Sequence, residues 1–360
     1  MRQVCGAVES SRDLMKQRVG KTALNMRAVA ERAGVSSATI SRVINGSSVV
    51  KPETAERVRR ILKELDYIPN PIATTLKYGR SNTFGLIVPD LVNPFFPEFL
   101  LAFEQVLVEN DHELLLATTQ STESKLLTSV RRMLMRQVDG VVLMGSEYET
   151  RAVEPLFERK IPIVTLDRRR VQPGTGDVAF DFEGGYRQAV EHLRGLGHRR
   201  IGYLGGTKGI RTSEIRREAF RKALEDFGLT YHAELVREGN YRVDGGEAAM
   251  VSLLDVARRP TAVLTANDLT AFGALRALHE RGISVPNDMS IVGFDGIQMG
   301  GAVSPPLTTV RIPSREASEA CIQVLRRLKA NIARSGMSVS INVQFMPRRS
   351  TARAPRQRSR

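Results

Sequence analysis

Two groups of residues have types and spacings that could do chemistry. In the stretch SATISRVIN, Ser37, Ala38, Ser41, Arg42 and Asn45 share the outward face of a short helix, while Ile40, Val43 and Ile44 point the other way. An arginine on such a face can donate two hydrogen bonds to guanine O6 and N7. The second group closes short apolar runs: Asp167 ends IVTLD, Asn267 and Asp268 end TAND, and Asp295 ends VGFD. Carboxylates and amides placed there exchange hydrogen bonds with hydroxyls, and the Arg216 guanidinium could fork onto a ring oxygen or a carboxylate. An aspartate at such a point also suits a helix cap, and Asp268 is expected to cap TAFGAL. Catalysis finds little support. TLDRRR, YLGGTKG and GFDG contain neither a G-x-G-x-x-G turn nor a phosphate-loop lysine pattern, and no Ser/His/Asp order stands out among five histidines. Cys5 and Cys321 match no ligand spacing. We expect no enzyme, no metal and no cofactor.

The elements that must position the first group fill residues 26–78. Asn25 can cap a helix whose Met26, Val29 and Ala33 share a face, and Gly34 stops it because glycine enters the left-handed region freely. Ser36 then caps the second helix, giving a helix-turn-helix. A third opens at Pro52, where a missing N–H is harmless, and repeats apolar residues at Ala55, Val58, Ile61, Leu62 and Leu65. A fourth, weaker pattern, NPIATTLKYGRS, would be marginal as an isolated helix. From Thr83 onward short β-branched runs alternate with amphipathic stretches, which means parallel sheets covered by helices. The strands are too many for one modest sheet, so two doubly wound subdomains are expected.

AVAERAGVSSATISRVIN followed by TAERVRRILKELDYIPNPIATTL resembles the DNA-binding head of the LacI/GalR family of bacterial repressors almost position for position. The resemblance continues to about residue 350 through HLRGLGHRRIGYLGG, RPTAVLTANDLTAFGALRAL, VPNDMSIVGFDG and PPLTTVRIP, which are similar to the family's effector-binding core. It implies an all-α helix-turn-helix head plus an α/β core, two doubly wound parallel-sheet subdomains of the periplasmic-binding-protein type. The domains would be a disordered extension at 1–24, the head at 25–69, a hinge helix or linker at 70–80, a core at 81–346 whose chain passes between lobes near 181, 313 and 338, and a basic disordered tail at 347–360. In the head, Ser37, Ala38 and Arg42 would touch base edges, Ser36, Thr39 and Asn45 would hold phosphates, and Leu76 from each subunit would wedge into the minor groove. In the core, the ligand would lie at the strand C-termini among Phe95, Phe96, Asp167, Arg168, Arg216, Tyr241, Asn267 and Asp295. Phe182, where the pattern usually has Asn, and Glu214 and Ile215 depart from the family.

The resemblance implies a homodimer on double-stranded operator DNA, switched by a small-molecule effector. A sugar or sugar acid is the leading expectation, and a purine acting as corepressor is the alternative. A transport-type sugar-binding protein would need an export signal and no head, and an α/β metabolic enzyme lacks the motifs above. The first 24 residues lack a signal peptide's apolar run, and no later stretch approaches the roughly 18 apolar residues of a spanning helix, so no membrane is expected and the location is read as cytoplasmic.

All the net charge of +14 lies at the two ends. Residues 1–80 carry 15 Lys+Arg against 7 Asp+Glu, residues 347–360 carry 6 Arg and no acid, and the rest is balanced. A basic head is what counterion release asks of a DNA binder, while the arginine-rich tail from 347, poor in apolar residues, is expected to be disordered.

Overall fold

The computed structural model describes residues 26–44, 48–67, 80–145, 150–168, 171–330 and 336–355. The expectations for the extension at 1–24, the cap Asn25, Asn45, Leu76 and the hinge segment through residue 79 fall outside these residues. The chain divides into two units, Met1–Gly79 and Arg80–Arg360.

In the first unit, α1 (Met26–Ala33), α2 (Ser37–Ile44) and α3 (Pro52–Glu64) surround a small core. Gly34 takes φ +61 directly after α1, and the Val35 N–H turns back to the Ala30 carbonyl at 3.1 Å. Ser36 Oγ accepts the Thr39 N–H at 3.2 Å and so starts α2. Val29, Ile40 and Val58, one from each helix, are fully buried at the centre. Each such side chain contributes about 1.5–3 kcal/mol by leaving water. Ser41, expected on the outward face, is buried instead. It sits about 100° round the helix from Ile40, at the edge of the buried stripe, and is small enough to be covered there.

The second unit holds two sheets. In the first lobe β1 (Thr83–Val88), β2 (Glu113–Thr118), β3 (Gly140–Met144), β4 (Ile163–Leu166), β5 (Thr175–Phe180) and β11 (Met337–Ile341) run parallel in the order β11-β5-β4-β3-β1-β2. In the second, β6 (Ile201–Leu204), β7 (Val236–Arg237), β8 (Ala262–Thr265), β9 (Ser290–Asp295), β10 (Thr308–Arg311) and β12 (Gln344–Met346) follow the order β12-β10-β9-β8-β6-β7, with only the edge strand β12 antiparallel. Strands such as GVVLM of β3 and SIVGFD of β9 are buried at every residue. That explains why they read as continuous apolar runs and not as alternating patterns. Helices α4 (Phe95–Val108), α5 (Glu123–Met135), α6 (Thr150–Glu158) and α11 (Ser314–Lys329) belong to the first lobe. Helices α7 (Phe182–Gly195), α8 (Arg211–Asp226), α9 (Val243–Leu254) and α10 (Asp268–Glu280) belong to the second.

The chain passes between the lobes at Asp181, at Ile312 and Pro313, and at Asn342 and Val343. The last differs from the expected position, since Ser338 lies inside β11; that strand pairs with β5 through Ile341 before the chain can leave the sheet. At the first passage the Asp181 N–H donates to the Ile341 carbonyl at 2.9 Å, and its carboxylate caps α7 by accepting the Gly184 N–H at 2.9 Å.

The tail also departs from expectation. Residues 347–355 lie along the N-terminal ends of the second lobe's strands. Ser350 is fully buried, donating through Oγ to the Ile291 carbonyl at 2.6 Å and accepting the Thr308 N–H at 2.8 Å. The Ile291 N–H donates to the Ser350 carbonyl at 2.8 Å, and the Ala354 N–H to the Leu196 carbonyl at 2.9 Å. His198 bridges Ala352 O at 3.0 Å and Thr261 Oγ1 at 2.8 Å. This segment is held by backbone and hydroxyl hydrogen bonds, so low apolar content did not leave it unstructured.

Candidate functional site

Ser36, Ser37, Ala38 and Arg42 are exposed in the first unit and Thr39 is half-buried, its hydroxyl 3.0 Å from Ser36 Oγ. A short α2 fixed on α1 and α3 by Ile40 and Val43 thus presents one small-residue stretch and one arginine to solvent. This is the geometry by which a helix-turn-helix enters a major groove.

In the second unit a cavity of ≈ 430 Å³ opens between the lobes at the C-terminal ends of the strands. Phe95, Phe96, Asp167, Arg216, Tyr241, Asn267 and Asp295 all line it. They arrive from six elements: the first turn of α4, the end of β4, the second turn of α8, the loop before α9, the residue before α10, and the end of β9. Arg168 does not line it; its backbone N–H donates to Asp177 Oδ1 at 3.0 Å. The neighbouring position on the sharp turn after β4 goes to Asp167, at φ +58. Asn267, not Asp268, caps α10, accepting the Thr270 N–H at 3.0 Å. Asp268 is buried behind the cavity, accepting from Thr309 Oγ1 at 2.6 Å and from the Ile297 N–H at 2.9 Å.

Arg216 is the centre of the site. Its guanidinium is buried, lies 4.4 Å from the Phe182 ring and 4.8 Å from the Phe294 ring, donates to the Ala266 carbonyl, and stands 3.6 Å from Asp295 Oδ1. Its Nε–H is buried without a hydrogen-bond partner among the described residues. Burial works to lower the Arg216 pKa, but the Asp295 carboxylate and the nearby tyrosines outweigh it and hold the group charged. Asp295 is pushed up to about 7 by burial, against the pull of Arg216. Asp167, Tyr241 and Asp295 sit at φ +58, +62 and +112, a region that side-chain-bearing residues enter at a cost of about 1–3 kcal/mol each. Ser121, which also lines the cavity, sits at φ +53, so four lining residues carry such strain, which marks the cleft as shaped for more than packing.

Sequence reasoning missed Asp90, Asn93, Thr207, Asn240 and Arg242, which also line the cavity. Asp90 closes β1 much as Asp167 closes β4, so the strand-end signal could have found it. Asn93 opens the NPFFPEF stretch, and Asn240 and Arg242 flank Tyr241. Arg242 reaches across the cleft to Asp90 at 3.5 Å, and the Gln298 N–H donates across it to Glu98 Oε1 at 2.9 Å.

Comparisons with known proteins agree with this architecture. Residues 25–70 match the model for bacterial regulatory proteins of the lacI family, and residues 190–351 match that for a periplasmic binding protein-like domain. The chain is 35% identical over 303 residues to the HTH-type transcriptional repressor PurR of Actinobacillus pleuropneumoniae serotype 3 (strain JL03), covering 84% of this chain and 90% of that protein. It is 32% identical over 305 residues to the ribose operon repressor of Haemophilus influenzae, covering 84% and 92%. Among solved structures, the lac repressor dimer bound to operator and the anti-inducer ONPF superposes with a TM-score of 0.80 at 28% identity, covering 92% of this chain and all of that one. The complex of the transcriptional regulator CelR with cellobiose gives 0.68 at 32% identity, covering 91% and 99%. With an exposed recognition helix on a three-helix head and a cleft between two doubly wound lobes, the chain belongs to the lacI family of bacterial regulatory proteins and is a DNA-binding transcriptional repressor.

Proposed function

We propose that this repressor is a cytoplasmic homodimer whose operator affinity is switched by a neutral, polyhydroxylated small molecule in the interlobe cleft, a sugar ahead of a sugar acid. The observation that carries the reading is Arg216, a cleft-lining guanidinium with a buried, unpartnered Nε–H that a ligand hydroxyl or ring oxygen would satisfy. Charge argues for neutrality. Both cleft arginines are matched by carboxylates, Arg216 by Asp295 and Arg242 by Asp90, and Asp167 adds a third acid, so no cation is left over for an anionic ligand. The two walls differ. Most of the apolar lining comes from the first lobe, with Val92, Phe95, Phe96, Met144, Leu166 and Phe180 beside the polar Asp90, Asn93 and Asp167, and most of the polar lining from the second, with Thr207, Thr212, Arg216, Asn240, Asn267 and Asp295 beside Tyr241 and Leu269. A sugar ring suits this pair of walls, with its C–H face on the aromatics and its hydroxyl edge on the polar side.

The aromatic wall also favours a second reading, a purine stacked on Phe95 or Phe96, in keeping with the PurR relatives. A thermal-shift screen of ribose, cellobiose, sugar acids and purines, at concentrations well above Kd, separates the two. A neutral sugar should raise the melting temperature, and Asp295→Ala should remove that shift while leaving operator binding intact. Stabilisation by purines alone would overturn the sugar reading, and an unchanged shift in the variant would remove Asp295 from the site. Ligand and operator are coupled through the segment NPIATTLKY, which joins the head to the core in the sequence. Linkage makes the coupling reciprocal, commonly about 5–150-fold in each direction.

A further inference from the structure

The parallel strands of the second lobe send their C-terminal ends to the cleft, so their N-terminal ends form the opposite wall. Basic residues from three separate parts of the chain meet there. Arg194 and Arg199 precede β6, Arg258 and Arg259 precede β8, and Arg349 and Arg353 belong to the terminal segment laid across the starts of β9 and β10. Hydrogen bonds fix the first part and join it to the other two. Arg199 Nη1 donates to the Arg194 carbonyl at 3.1 Å, and Arg200 Nε donates to the Arg258 carbonyl at 3.0 Å. His198 holds Ala352, the residue before Arg353, and Leu196 holds Ala354, the residue after it. The Arg349 N–H is tied to the Pro306 carbonyl at 2.9 Å. The backbone under each guanidinium is therefore fixed, while all six side chains are exposed.

Among the described residues, none of the six has a carboxylate within ion-pair distance, and none of the large hydrophobic residues exposed elsewhere lies on this wall. A protein partner would need an apolar anchor at the centre of its footprint, and the wall supplies none. Arg194 lies over the Phe227 ring at 5.9 Å, Arg199 donates to the Arg194 and His198 carbonyls and Arg259 to the Leu254 carbonyl, so these guanidiniums are steadied without being neutralised. Exposed guanidiniums without carboxylate partners are suited to phosphates, which guanidinium grips through two parallel hydrogen bonds.

We propose that this wall is a second DNA contact, blind to sequence, that binds the phosphate backbone of a duplex independently of the helix-turn-helix. It lies at the far end of the lobe from the cleft, so its affinity does not depend on the effector. The tail, which composition alone marks as a loose basic arm, serves here as a strap that sets two of the six arginines in place.

The test uses the full-length protein and a random-sequence duplex of 20 base pairs, with affinity followed by fluorescence anisotropy between 50 and 200 mM salt. Each phosphate contact contributes about 0.9 to the slope of log affinity against log salt, so the quadruple variant R194Q/R199Q/R349Q/R353Q should flatten the slope by about 3–4. A control quadruple of exposed arginines on the first lobe, R131Q/R132Q/R136Q/R159Q, should leave it unchanged. A slope within one unit of the unaltered protein's, or an equal loss in the control, overturns the proposal. Hydrogen exchange on the unaltered protein decides the matter if the variant does not fold. Slowed exchange over residues 194–200 and 347–355 on adding duplex supports the second contact, and unchanged exchange overturns it. Protection of the same peptides by poly-glutamate but not by duplex would assign the wall to an acidic protein and also overturn the proposal.

Discussion

Replacing Arg216 by methionine tests whether the buried pair at the cleft behaves as its geometry requires. Methionine keeps most of the side-chain volume and removes the charge. Three losses follow that do not depend on pH: the contacts with the Phe182 and Phe294 rings, worth about 0.5–2 kcal/mol each, and a buried Ala266 carbonyl left without its donor, worth about 1–3 kcal/mol. New packing by the methionine offsets part of this, so a deficit of about 2–4 kcal/mol is expected at pH 6. A further loss does depend on pH. Asp295 has a pKa of about 7 in the folded protein, against about 3.9 for a free aspartate, so the folded state holds this proton more tightly and stability falls as pH rises from about 4 to 7. Above pH 7 the wild-type carboxylate is ionised in both states and its contribution levels off. Without Arg216 the carboxylate loses the neighbour that favours its charged form, its pKa climbs higher, and stability goes on falling by about 1.4 kcal/mol per pH unit. The deficit should thus grow to about 5–7 kcal/mol at pH 9. The chain has no tryptophan, so urea unfolding of the core is best followed by far-UV circular dichroism at pH 6, 7, 8 and 9. Adding Asp295→Asn should abolish the pH-dependent part. A deficit flat across this range, or one that the second substitution leaves unchanged, would refute the pairing.

Further outcomes follow from other parts of the chain. Arg42→Ala should weaken binding to the specific operator by about 1–3 kcal/mol and to random DNA much less, as measured by competition titration; equal losses would mean that Arg42 holds only phosphate. Ser350→Ala removes a hydroxyl that serves both Ile291 and Thr308 and should destabilise the core by about 1–3 kcal/mol in chemical denaturation, whereas a disordered tail would tolerate it silently. Footprinting should show two symmetric half-sites, because one recognition helix reads too few bases, and sedimentation should show a dimer with no stable tetramer. An asymmetric half-site bound by a monomer would count against the first, and a tetramer against the second.

The sequence was most legible where a side chain's position follows from local periodicity. Ile40, Val43, Val58 and Ile61 could be assigned to the head's core from spacing alone, and the alternation of apolar runs with amphipathic stretches predicted the parallel sheets. Asp167, Asn267 and Asp295 were legible as strand-end residues because parallel strands point their C-terminal ends at a common edge. Three things were not legible. Asp268 and Asn267 both suit a cap, and the choice between them depended on Thr309 and the Ile297 N–H, which are distant in sequence and draw Asp268 inward. Arg242 contributes to the cleft through a carboxylate 152 residues away. The strap at 347–355 is held almost wholly by hydrogen bonds to other parts of the chain, and composition records apolar content without recording who will bond to whom.

The three passages between the lobes have a mechanical consequence. Each is only one or two residues long, and fully extended chain spans at most about 3.3–3.6 Å per residue, so none can pay out more than about 7 Å. They also run side by side, since Asp181 is bonded to Ile341 and Arg311 lies opposite Gln344. Three short tethers along one line suppress translation and twist between the lobes and leave one soft coordinate, a rotation about that line. Whatever fills the cleft, the quantity it can set is an angle. On the proposed reading, a ligand's chemistry would thereby be reduced to a single scalar before it leaves the core, so two molecules that fix the same angle would be equivalent to the rest of the protein, however differently they bind.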